Sequence, residues 1–459
     1  MADLHIQINR DLGGIAGQIA SELRDSVRLG RLVPGTRLPA TRDLAADLQV
    51  SRGVVVEAYE QLVAEGFLVS RVGAGTEVAS LGGSRPDRPQ PRQEDGVVCG
   101  THHGHRATSP DLGHFPRERW LAAVRHVLAT VPSDALDYGD PGGVLELREE
   151  LAGYLRRVRA ADVHPDNLVV VGGVAQGLSL VLHVLARRGG LRLIVEDPTS
   201  HRQIPLLRRA GAELVPVPVD EEGLTVEALE GDAVLVTPAH QYPTGVVLSP
   251  SRRAALMEWA YAGDRVILED DYDAEFRFDR DPVGCLQGLA PDRVVLSGSV
   301  SKSLAPGLRL GWVAAPDWLA DSIRRARGEL DLGSPVVEQY ALAHFLRTGG
   351  YDKHLRRMRR EYRRRRDALV RALADELPEI RVRGIDAGLH VYLDLPDGWD
   401  EPRAVRVAQE LGLPAEPVGP MRLVPGLPAI VVGFARVPVH HAPEAVKRLK
   451  AGMSGQNAG

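Results

Sequence analysis

The spacing of apolar residues over positions 1–79 predicts three helices followed by a two-stranded hairpin. Three apolar faces recur at helical spacing, and their members are Ile15, Ile19, Leu23 and Val27, then Leu44, Ala45 and Leu48, then Val55, Tyr59, Leu62 and Val63. Alternation at residues 67–71 and 76–79 predicts two short strands around a glycine-rich turn. The predicted order is that of a winged helix-turn-helix.

A helix-turn-helix places the start of its second helix against the major groove of DNA. In this chain that start carries Ser51, a candidate N-cap, and Arg52, while Arg42 opens the preceding helix. Arginine reads guanine edges or binds phosphate. Gly73, between the two strands, would let the backbone approach a groove.

The charge of this region is weaker support for DNA binding than its motif. Residues 1–79 hold eight Arg and no Lys against ten Asp or Glu, so 8 − 10 gives −2. Any basic character is therefore local. A small winged-helix domain that binds another protein is the alternative.

From about residue 97 the pattern changes to short apolar runs separated by helical stretches. The runs lie at 168–171, 193–195, 233–236, 266–268 and 294–296. They predict an α/β fold with a mostly parallel sheet that is covered on both faces. Polar motifs follow the runs, and such sheets bind ligands at the carboxyl ends of their strands. Residues 80–96 are rich in proline, offer no apolar face and predict a linker.

Lys302 lies in a loop that follows the last of these runs, with Arg309 seven positions later. Its neighbours are too small to form a charged surface and would let a planar group approach: Gly298, Ser299, Ser301, Ser303 and Ala305. Serine hydroxyls and a guanidinium are phosphate ligands. An amine beside a phosphate cradle is what pyridoxal phosphate requires, because a lysine holds this cofactor as a Schiff base. On this stretch alone, a plain loop with an exposed lysine is an equal alternative.

Two other strand ends favour the same cofactor. Gly172 and Gly173 precede a helix and offer backbone N–H groups at its N-terminus, which is a phosphate site. Asp270 directly follows an apolar run, and a buried carboxylate there could hold a protonated pyridine nitrogen. Tyr272 could donate to the ring hydroxyl. Each residue alone has an ordinary structural explanation, but their joint order with the lysine loop favours a pyridoxal phosphate site.

Composition is that of a soluble globular protein of two or three domains, with 44% hydrophobic residues, 25% charged residues and a net charge of −5. No apolar run of about 20 residues predicts a membrane helix, and the N-terminus lacks a signal-peptide pattern. The two cysteines, Cys99 and Cys285, exclude a disulfide framework and indicate a reducing cytoplasm. No metal site is expected, since no ligand groups stand at metal-binding spacing.

Residues 35–45, 50–52 and 58–68 resemble the DNA-binding head of GntR-type regulators, and this resemblance implies DNA contacts at Arg42, Arg52 and Gly73. Residues 111–435 resemble the class I aminotransferases of the fold-type I pyridoxal phosphate group. The two parts together, with residues 238–245 and 269–276 in particular, resemble the MocR subfamily of GntR-type regulators.

By this resemblance Lys302 forms the aldimine, Asp270 pairs with the pyridine nitrogen and Tyr272 contacts the ring hydroxyl. The residues implied to hold the phosphate are Ser299, Ser301, Arg309 and the backbone of Val174 and Ala175. The resemblance also implies a homodimer. It predicts a body at 97–452 with a small C-terminal α+β domain at about 350–452.

Three positions depart from the family pattern. Ser200 stands where the family has a stacking tyrosine, so stacking is lost or passes to His201, and Tyr242 replaces an asparagine common in aminotransferases. Val431 stands where active aminotransferases and amino-acid-sensing relatives carry an arginine that binds the substrate carboxylate. Arg202, Arg422 and Arg436 are possible substitutes for this arginine. Arg202 also matches a position that helps to bind effector in some relatives and is a candidate effector residue.

The strongly basic residues 355–366 could suggest nucleic acid binding. The apolar positions within and beyond them recur at helical spacing, at Leu355, Met358, Tyr362 and Leu369. We therefore predict an amphipathic helix with a solvated basic face.

Three functions compete at this point. The first is a DNA-binding regulator that senses pyridoxal phosphate or a linked metabolite, as the resemblance to MocR regulators of vitamin B6 synthesis implies. Detection of the cofactor itself needs no arginine for a substrate carboxylate. The second is an active aminotransferase with a DNA-binding arm. The third is an amino-acid-responsive activator that uses Arg202.

Overall fold

The computed structural model describes residues 6–71, 75–80, 106–186, 190–227, 229–279 and 283–454. The chain divides into two compact units, Met1–Cys99 and Gly100–Gly459. Of the predicted linker, only Ser80 lies within the described residues. No helix in the described ranges combines the length and the apolar character that a bilayer-spanning segment needs.

The first unit, in its described part, forms three α-helices and a two-stranded sheet, as the apolar spacing predicts. These elements are α1 (Ile15–Arg28), α2 (Thr41–Asp47), α3 (Arg52–Ala64), β1 (Leu68–Arg71) and β2 (Gly75–Val78). The predicted apolar faces meet in one core, in which Ile19, Leu23 and Leu62 are almost fully buried. The prediction for Val63 is wrong, because the buried stripe of α3 runs through Ala58 and leaves Val63 exposed.

The larger sheet of the second unit has eight strands in the described residues. They are β3 (Leu168–Val171), β4 (Leu191–Asp197), β5 (Ala212–Asp220), β6 (Gly223–Leu224), β7 (Ala233–Val236), β8 (Val266–Asp271), β9 (Val294–Ser299) and β10 (Gly311–Ala314). Their order across the sheet is β3-β10-β9-β8-β7-β4-β5-β6. The five adjacent strands β5, β4, β7, β8 and β9 pair in parallel. The strand β10 is antiparallel to both β3 and β9, and β6 is antiparallel to β5. The sheet is therefore mostly parallel, as predicted.

The apolar pattern does not predict β5, β6 or β10. The strand β5 carries Pro216 and Pro218, residues that are depleted from strands. The strand β6 has two residues, and β10 begins at Gly311, which is also a poor strand former. Their pairing is set by the neighbouring strands, so it is a tertiary property that no local pattern records.

Helices cover both faces of this sheet. They are α4 (Arg117–Thr130), α5 (Leu145–Arg159), α6 (Val174–Ala186), α7 (Gln203–Arg209), α8 (Pro250–Ala262), α9 (Asp317–Asp331), α10 (Val336–Arg347) and α11 (Gly350–Glu376). Successive residues of β3 pack into different cores, Leu168 and Val170 into one and Val169 and Val171 into another. A strand buried on both faces explains the unbroken apolar runs of the sequence.

A second, smaller sheet lies in the carboxyl-terminal part of this unit. Its strands are β11 (Arg381–Arg383), β12 (His390–Asp394), β13 (Ala415–Pro417) and β14 (Ala429–Gly433), with helices α12 (Glu401–Glu410) and α13 (Ala442–Ser454). The strand order is β11-β12-β14-β13, and every neighbouring pair is antiparallel.

The basic segment 355–366 lies within α11. The side chains predicted to face inward are all buried, namely Leu355, Met358, Tyr362 and Leu369. The prediction of a solvated basic face needs one correction. Arg365 and Arg366 are buried as well, and Arg365 donates from Nη1 to Asp111 Oδ2 at 2.9 Å. Part of the positive charge therefore holds α11 in place and is not presented to solvent.

Candidate functional site

A cavity of about 300 Å³ lies at the carboxyl ends of β8 and β9 in the second unit. It brings together the nine residues that the resemblance assigns to a cofactor or an effector: Val174, Ala175, Arg202, Asp270, Tyr272, Ser299, Ser301, Lys302 and Arg309. Gly173 also lines it, whereas Gly172 is not among the lining residues. These residues come from separate segments of the chain. The strand ends of a mostly parallel sheet converge here, as open α/β sheets require.

Lys302 stands in the loop between β9 and β10, is partly buried and lines the cavity. Its Nζ donates a hydrogen bond to Thr108 Oγ1 at 2.9 Å. Burial lowers the pKa of Lys302 to about 8, although the charges of Asp273 and Glu416 oppose the change. Because burial disfavours the ammonium form, Lys302 is more readily available as a neutral amine than a surface lysine is.

Asp270 is nearly fully buried at the end of β8. Its Oδ2 accepts a hydrogen bond from Gln203 Nε2 at 3.0 Å, while its Oδ1 is buried without a hydrogen-bond partner among the described residues. Burial raises the pKa of Asp270 to about 6. A buried carboxylate oxygen with no donor fits a ligand that supplies a cationic N–H, such as a protonated pyridine nitrogen.

Arg309 and the turn before α6 form the candidate phosphate cradle. Arg309 has a left-handed backbone (φ 51°), and a Cβ on Gly173 would lie 3.2 Å from both of its terminal nitrogens. Glycine at 173 therefore lets the guanidinium reach the first turn of α6, where the backbone N–H groups of Val174 and Ala175 begin the helix. Guanidinium, hydroxyls and a helix N-terminus together suit a phosphate.

Not all the small residues around Lys302 serve the cavity as predicted. A Cβ on Gly298 would meet the ring of Trp312 at 2.7 Å, so this glycine makes room for a neighbouring side chain. Ser303 is buried, and its Oγ accepts a hydrogen bond from the hydroxyl of Tyr351 at 2.8 Å. The prediction that these two residues admit a planar ligand is wrong, since they pack the loop against the core.

Tyr272 belongs to a buried polar cluster that the sequence analysis did not assign. Its hydroxyl lies 2.8 Å from His240 Nδ1, and the same nitrogen lies 3.0 Å from Asp273 Oδ2. Burial raises the pKa of Tyr272 well above its ordinary value, and the charge of Asp273 adds to this effect. The phenol thus stays protonated and is held by its neighbours at the cavity wall. His240 and Asp273 lie in the two segments, 238–245 and 269–276, that carry the resemblance to the MocR subfamily.

The other end of the cavity is lined by Ser200, His201, Arg202 and Tyr242. Ser200 and His201 both reach it, and burial lowers the pKa of His201. The candidate effector residue Arg202 is already engaged, because its Nη2 donates to Glu416 Oε1 at 2.6 Å. Neither this partner nor the cavity residues Thr108 and Gln203 stood out in the sequence, since a glutamate, a threonine and a glutamine are common at any surface.

Val431, in β14, is completely buried. It packs in an apolar cluster with Ala107, Tyr392, Val418, Met421 and Ala429, against which Tyr242 also packs. No cation therefore stands at the position where the family's arginine would bind a carboxylate.

Three of the four candidate DNA-contacting residues lie in the described part of the first unit, Arg42 on α2, Arg52 on α3 and Ser51 directly before α3. Arg42, Ser51 and Arg52 are exposed, and Arg52 Nε donates weakly to Thr41 Oγ1 at 3.4 Å. Ser51 occupies the N-cap position of α3, but its side chain makes no capping hydrogen bond. Gly73 lies outside the described residues. A hydroxyl that is not used as a cap is available to another partner, which is consistent with a role at an interface.

Sequence comparisons divide the chain in the same way as its structure. Residues 15–78 match the family described as bacterial regulatory proteins, gntR family. Residues 109–448 match the family of class I and II aminotransferases. Among solved structures, the chain is similar to an archaeal alanine:glyoxylate aminotransferase (TM-score 0.69, 27% identity, 76% of this chain and 90% of that one). It is also similar to the α-aminoadipate aminotransferase LysN of Thermus thermophilus (TM-score 0.68, 26% identity, 76% and 92%).

Two curated relatives cover both parts of the chain. The pyridoxine biosynthesis transcriptional regulator PdxR of Corynebacterium glutamicum is 38% identical over 401 residues, which is 86% of each protein. The probable rhizopine catabolism regulatory protein MocR of Rhizobium meliloti is 31% identical over 464 aligned positions, which is 95% of this chain and 92% of that protein. The chain therefore belongs to the MocR subfamily of GntR-type transcriptional regulators, in which a winged helix-turn-helix is joined to an aminotransferase-type domain.

Proposed function

We propose that this chain is a transcriptional regulator that binds promoter DNA through residues 1–79 and pyridoxal phosphate through the cavity at Lys302. Aminotransferases of this fold type depend on pyridoxal phosphate, which when bound acts as an electron sink for amine chemistry. In this proposal residues 80–96 link the head to a cofactor-binding body at 97–452, whose smaller domain begins at about 350. The chain works as a cytoplasmic homodimer that offers two heads to paired half-sites.

The observation that carries the cofactor proposal is that Asp270 Oδ1 is buried without a hydrogen-bond partner in the described part of the chain, in a cavity that Lys302 also lines. An unsatisfied buried carboxylate oxygen is costly, and a protonated pyridine nitrogen would satisfy it. Lys302 Nζ would attach to the cofactor at one side of the ring, and Tyr272 would lie at the ring hydroxyl. Arg309, with Ser299, Ser301 and the start of α6, would hold the phosphate.

The proposal of a sensor and not an enzyme is supported by the buried valine at position 431. An aminotransferase must hold an amino-acid carboxylate, and an arginine does so with two charge-assisted hydrogen bonds. The apolar side chains packed around Val431 supply no such donor. The Arg422 guanidinium contacts this cluster, but its Nη2 already donates to the Tyr392 hydroxyl at 3.0 Å and to the Leu427 carbonyl at 3.1 Å. Detection of the cofactor itself requires no carboxylate anchor, so the cavity suits pyridoxal phosphate or a closely linked metabolite as the ligand.

The direct test measures DNA binding while pyridoxal phosphate is added. DNA sequences are first selected on the cofactor-free full-length protein, and binding of a selected fragment is followed by fluorescence anisotropy. The wild type is expected to change its DNA affinity on addition of the cofactor, and Lys302→Ala is expected to lose this response. Lys447→Ala, which removes an exposed lysine of α13, serves as the matched control and retains it. Equal DNA affinity with and without cofactor in all three proteins would refute the proposal.

The lowered pKa of Lys302 also favours a second function, because a lysine that deprotonates near pH 8 suits transamination. The corresponding assay supplies an amino acid and a keto acid to the cofactor-loaded protein. Sustained formation of the new amino acid over many turnovers would favour an active aminotransferase with a DNA-binding arm. A single stoichiometric conversion would not.

A further inference from the structure

Glu416 occupies the sheet position that faces Val431. In the antiparallel pair of β13 with β14, Glu416 is registered directly opposite Val431. Side chains of directly opposed residues project from the same face of a sheet and lie close together. An acidic residue therefore stands beside the place where an incoming carboxylate would need a positive charge.

The carboxylate of Glu416 is buried and held from two sides. Its Oε1 accepts the hydrogen bond from Arg202 Nη2 at 2.6 Å, and its Oε2 accepts one from the backbone N–H of Ala107 at 3.1 Å. The next residue, Thr108, contacts Lys302 Nζ. The Glu416 carboxylate therefore lies directly behind the cavity wall. It contacts Ala107, which is adjacent in sequence to the residue that contacts Lys302 Nζ.

This arrangement has two effects on a ligand whose amine lies near Lys302. Arg202 lines the cavity, but its charge is neutralised by Glu416, so it offers a ligand carboxylate little net attraction. The charge of Glu416 also acts on Lys302 itself, whose pKa it raises. An α-amino acid carries its carboxylate one carbon away from its amine. If the amine lay near Lys302, the negative charge of Glu416 would repel that carboxylate. Displacing Glu416 from Arg202 would leave a buried, poorly paired carboxylate, which is unfavourable.

We propose that Glu416 determines the ligand class of this cavity by excluding α-carboxylates, so that the cavity accepts the cofactor and simple primary amines but rejects α-amino acids. This inference rests on the proposed binding of pyridoxal phosphate at Lys302 and goes beyond it. Val431 alone removes an anchor, whereas Glu416 adds a repulsive element and occupies Arg202, which lines the cavity together with Arg106 and Arg309. Discrimination by a repulsive group is a general way to achieve specificity.

The test compares L-alanine with ethylamine, which differ only in the carboxylate. Full-length protein loaded with pyridoxal phosphate is titrated with each amine at one fixed pH, and the absorption band of the bound pyridine ring is followed. The incoming amine replaces Lys302 Nζ on the cofactor carbon, and Nζ leaves as a free amine, so no other reagent is consumed. The quantity compared between variants is the ratio of the half-saturating concentrations of the two ligands, in which their different basicities cancel.

Glu416→Gln is expected to shift this ratio in favour of L-alanine by roughly tenfold or more, because Arg202 becomes a net cation at the cavity wall. The half-saturating concentration of ethylamine should change little. The double variant Glu416→Gln with Arg202→Gln should lose the gain, which separates attraction by Arg202 from a general loosening of the cavity. Glu410→Gln, an exposed site on α12, removes the same charge and should leave the ratio unchanged.

An unchanged ratio in a cofactor-loaded Glu416→Gln protein overturns the inference, and so does a gain that survives in the double variant. Glu416→Ala replaces the glutamine variant if thermal unfolding shows that the latter is poorly folded, with the same expected shift. Failure of the proposed function is distinguishable from these outcomes. In that case the wild type shows no absorption band of bound cofactor before any amine is added, and the inference falls with it.

Discussion

Lys302→Met is expected to stabilise the cofactor-free protein at pH 7. The methionine keeps most of the length of the side chain and removes a charge that burial disfavours. The pKa of Lys302 is lowered from 10.5 to about 8. At about 1.4 kcal/mol per pH unit, this difference corresponds to about 3 kcal/mol of free energy of unfolding. Loss of the hydrogen bond to Thr108 offsets about 1 kcal/mol of it, which leaves a net gain of about 2 kcal/mol.

The stability difference between Lys302→Met and the wild type should depend on pH. Below pH 8 the lysine is protonated in both the folded and the unfolded protein, so the full penalty of burying the ammonium is present. Between about pH 8 and pH 10.5 the folded protein releases the proton and the unfolded chain retains it, so the penalty is lost as pH rises. The advantage of the methionine variant should therefore be largest at pH 7, fall to about zero near pH 10 and become a small disadvantage above it, because the lost hydrogen bond to Thr108 is then no longer offset.

The assay is urea-induced unfolding of cofactor-free wild type and variant at pH 7 and pH 10, followed by the fluorescence of Trp312 and the other tryptophans. Lys447→Met, at an exposed position of α13, is the control and should change stability at neither pH. The same difference between wild type and Lys302→Met at both pH values would refute the electrostatic reasoning. Destabilisation of the variant at pH 7 would show that packing at the site outweighs the buried charge.

Three further predictions concern the two sites. The rate at which pyridoxal phosphate attaches should rise with pH and level off above about 8, because attachment requires the neutral amine of Lys302; a rate that still rises steeply toward pH 10.5 would contradict this. Gly173→Ala, with φ 114° and its Cβ 3.2 Å from the nitrogens of Arg309, should weaken cofactor binding roughly tenfold in an absorbance titration. Gly307→Ala, which meets open space, should not weaken it. Arg52→Ala should weaken DNA binding roughly tenfold and flatten its dependence on salt concentration, with cofactor absorbance unchanged; unaltered anisotropy titrations would remove Arg52 from the interface.

The sequence was sufficient to place the predicted cofactor residues in one cavity because each follows an apolar strand. The strand ends of an α/β sheet converge by topology, so Asp270 and Lys302 could be predicted to meet although 31 intervening residues separate them. The helical faces of the first unit were also predictable, since apolar residues that recur every three or four positions lie on one side of an α-helix. Val63 was misjudged because it lies in the last turn of α3, beside the buried stripe.

The parts of the site that were missed depend on pairings between distant residues. Glu416 contacts Arg202 only because β13 is registered against β14, and His240 contacts Asp273 because two loops are packed together. Neither pairing has a period or a local motif. Gly298 was misjudged because its role is to admit Trp312, a residue from the adjacent strand. Side-chain identity predicted what chemistry was available, whereas the tertiary fold decided which groups were already engaged.

The position of β10 orders events during synthesis of the chain. Within the described residues β3 pairs only with β10, although residue 311 follows residue 171 by 140 positions, since 311 − 171 = 140. Arg309 and Gly173 meet through this pair, so the phosphate cradle cannot close until β10 has left the ribosome. The first unit completes its core by Val78. Because domains form as units during translation, with the N-terminal one first, a growing chain acquires its DNA-binding head well before it can respond to a ligand. Ligand control can begin only after the chain has been made as far as Ala314, the last residue of β10.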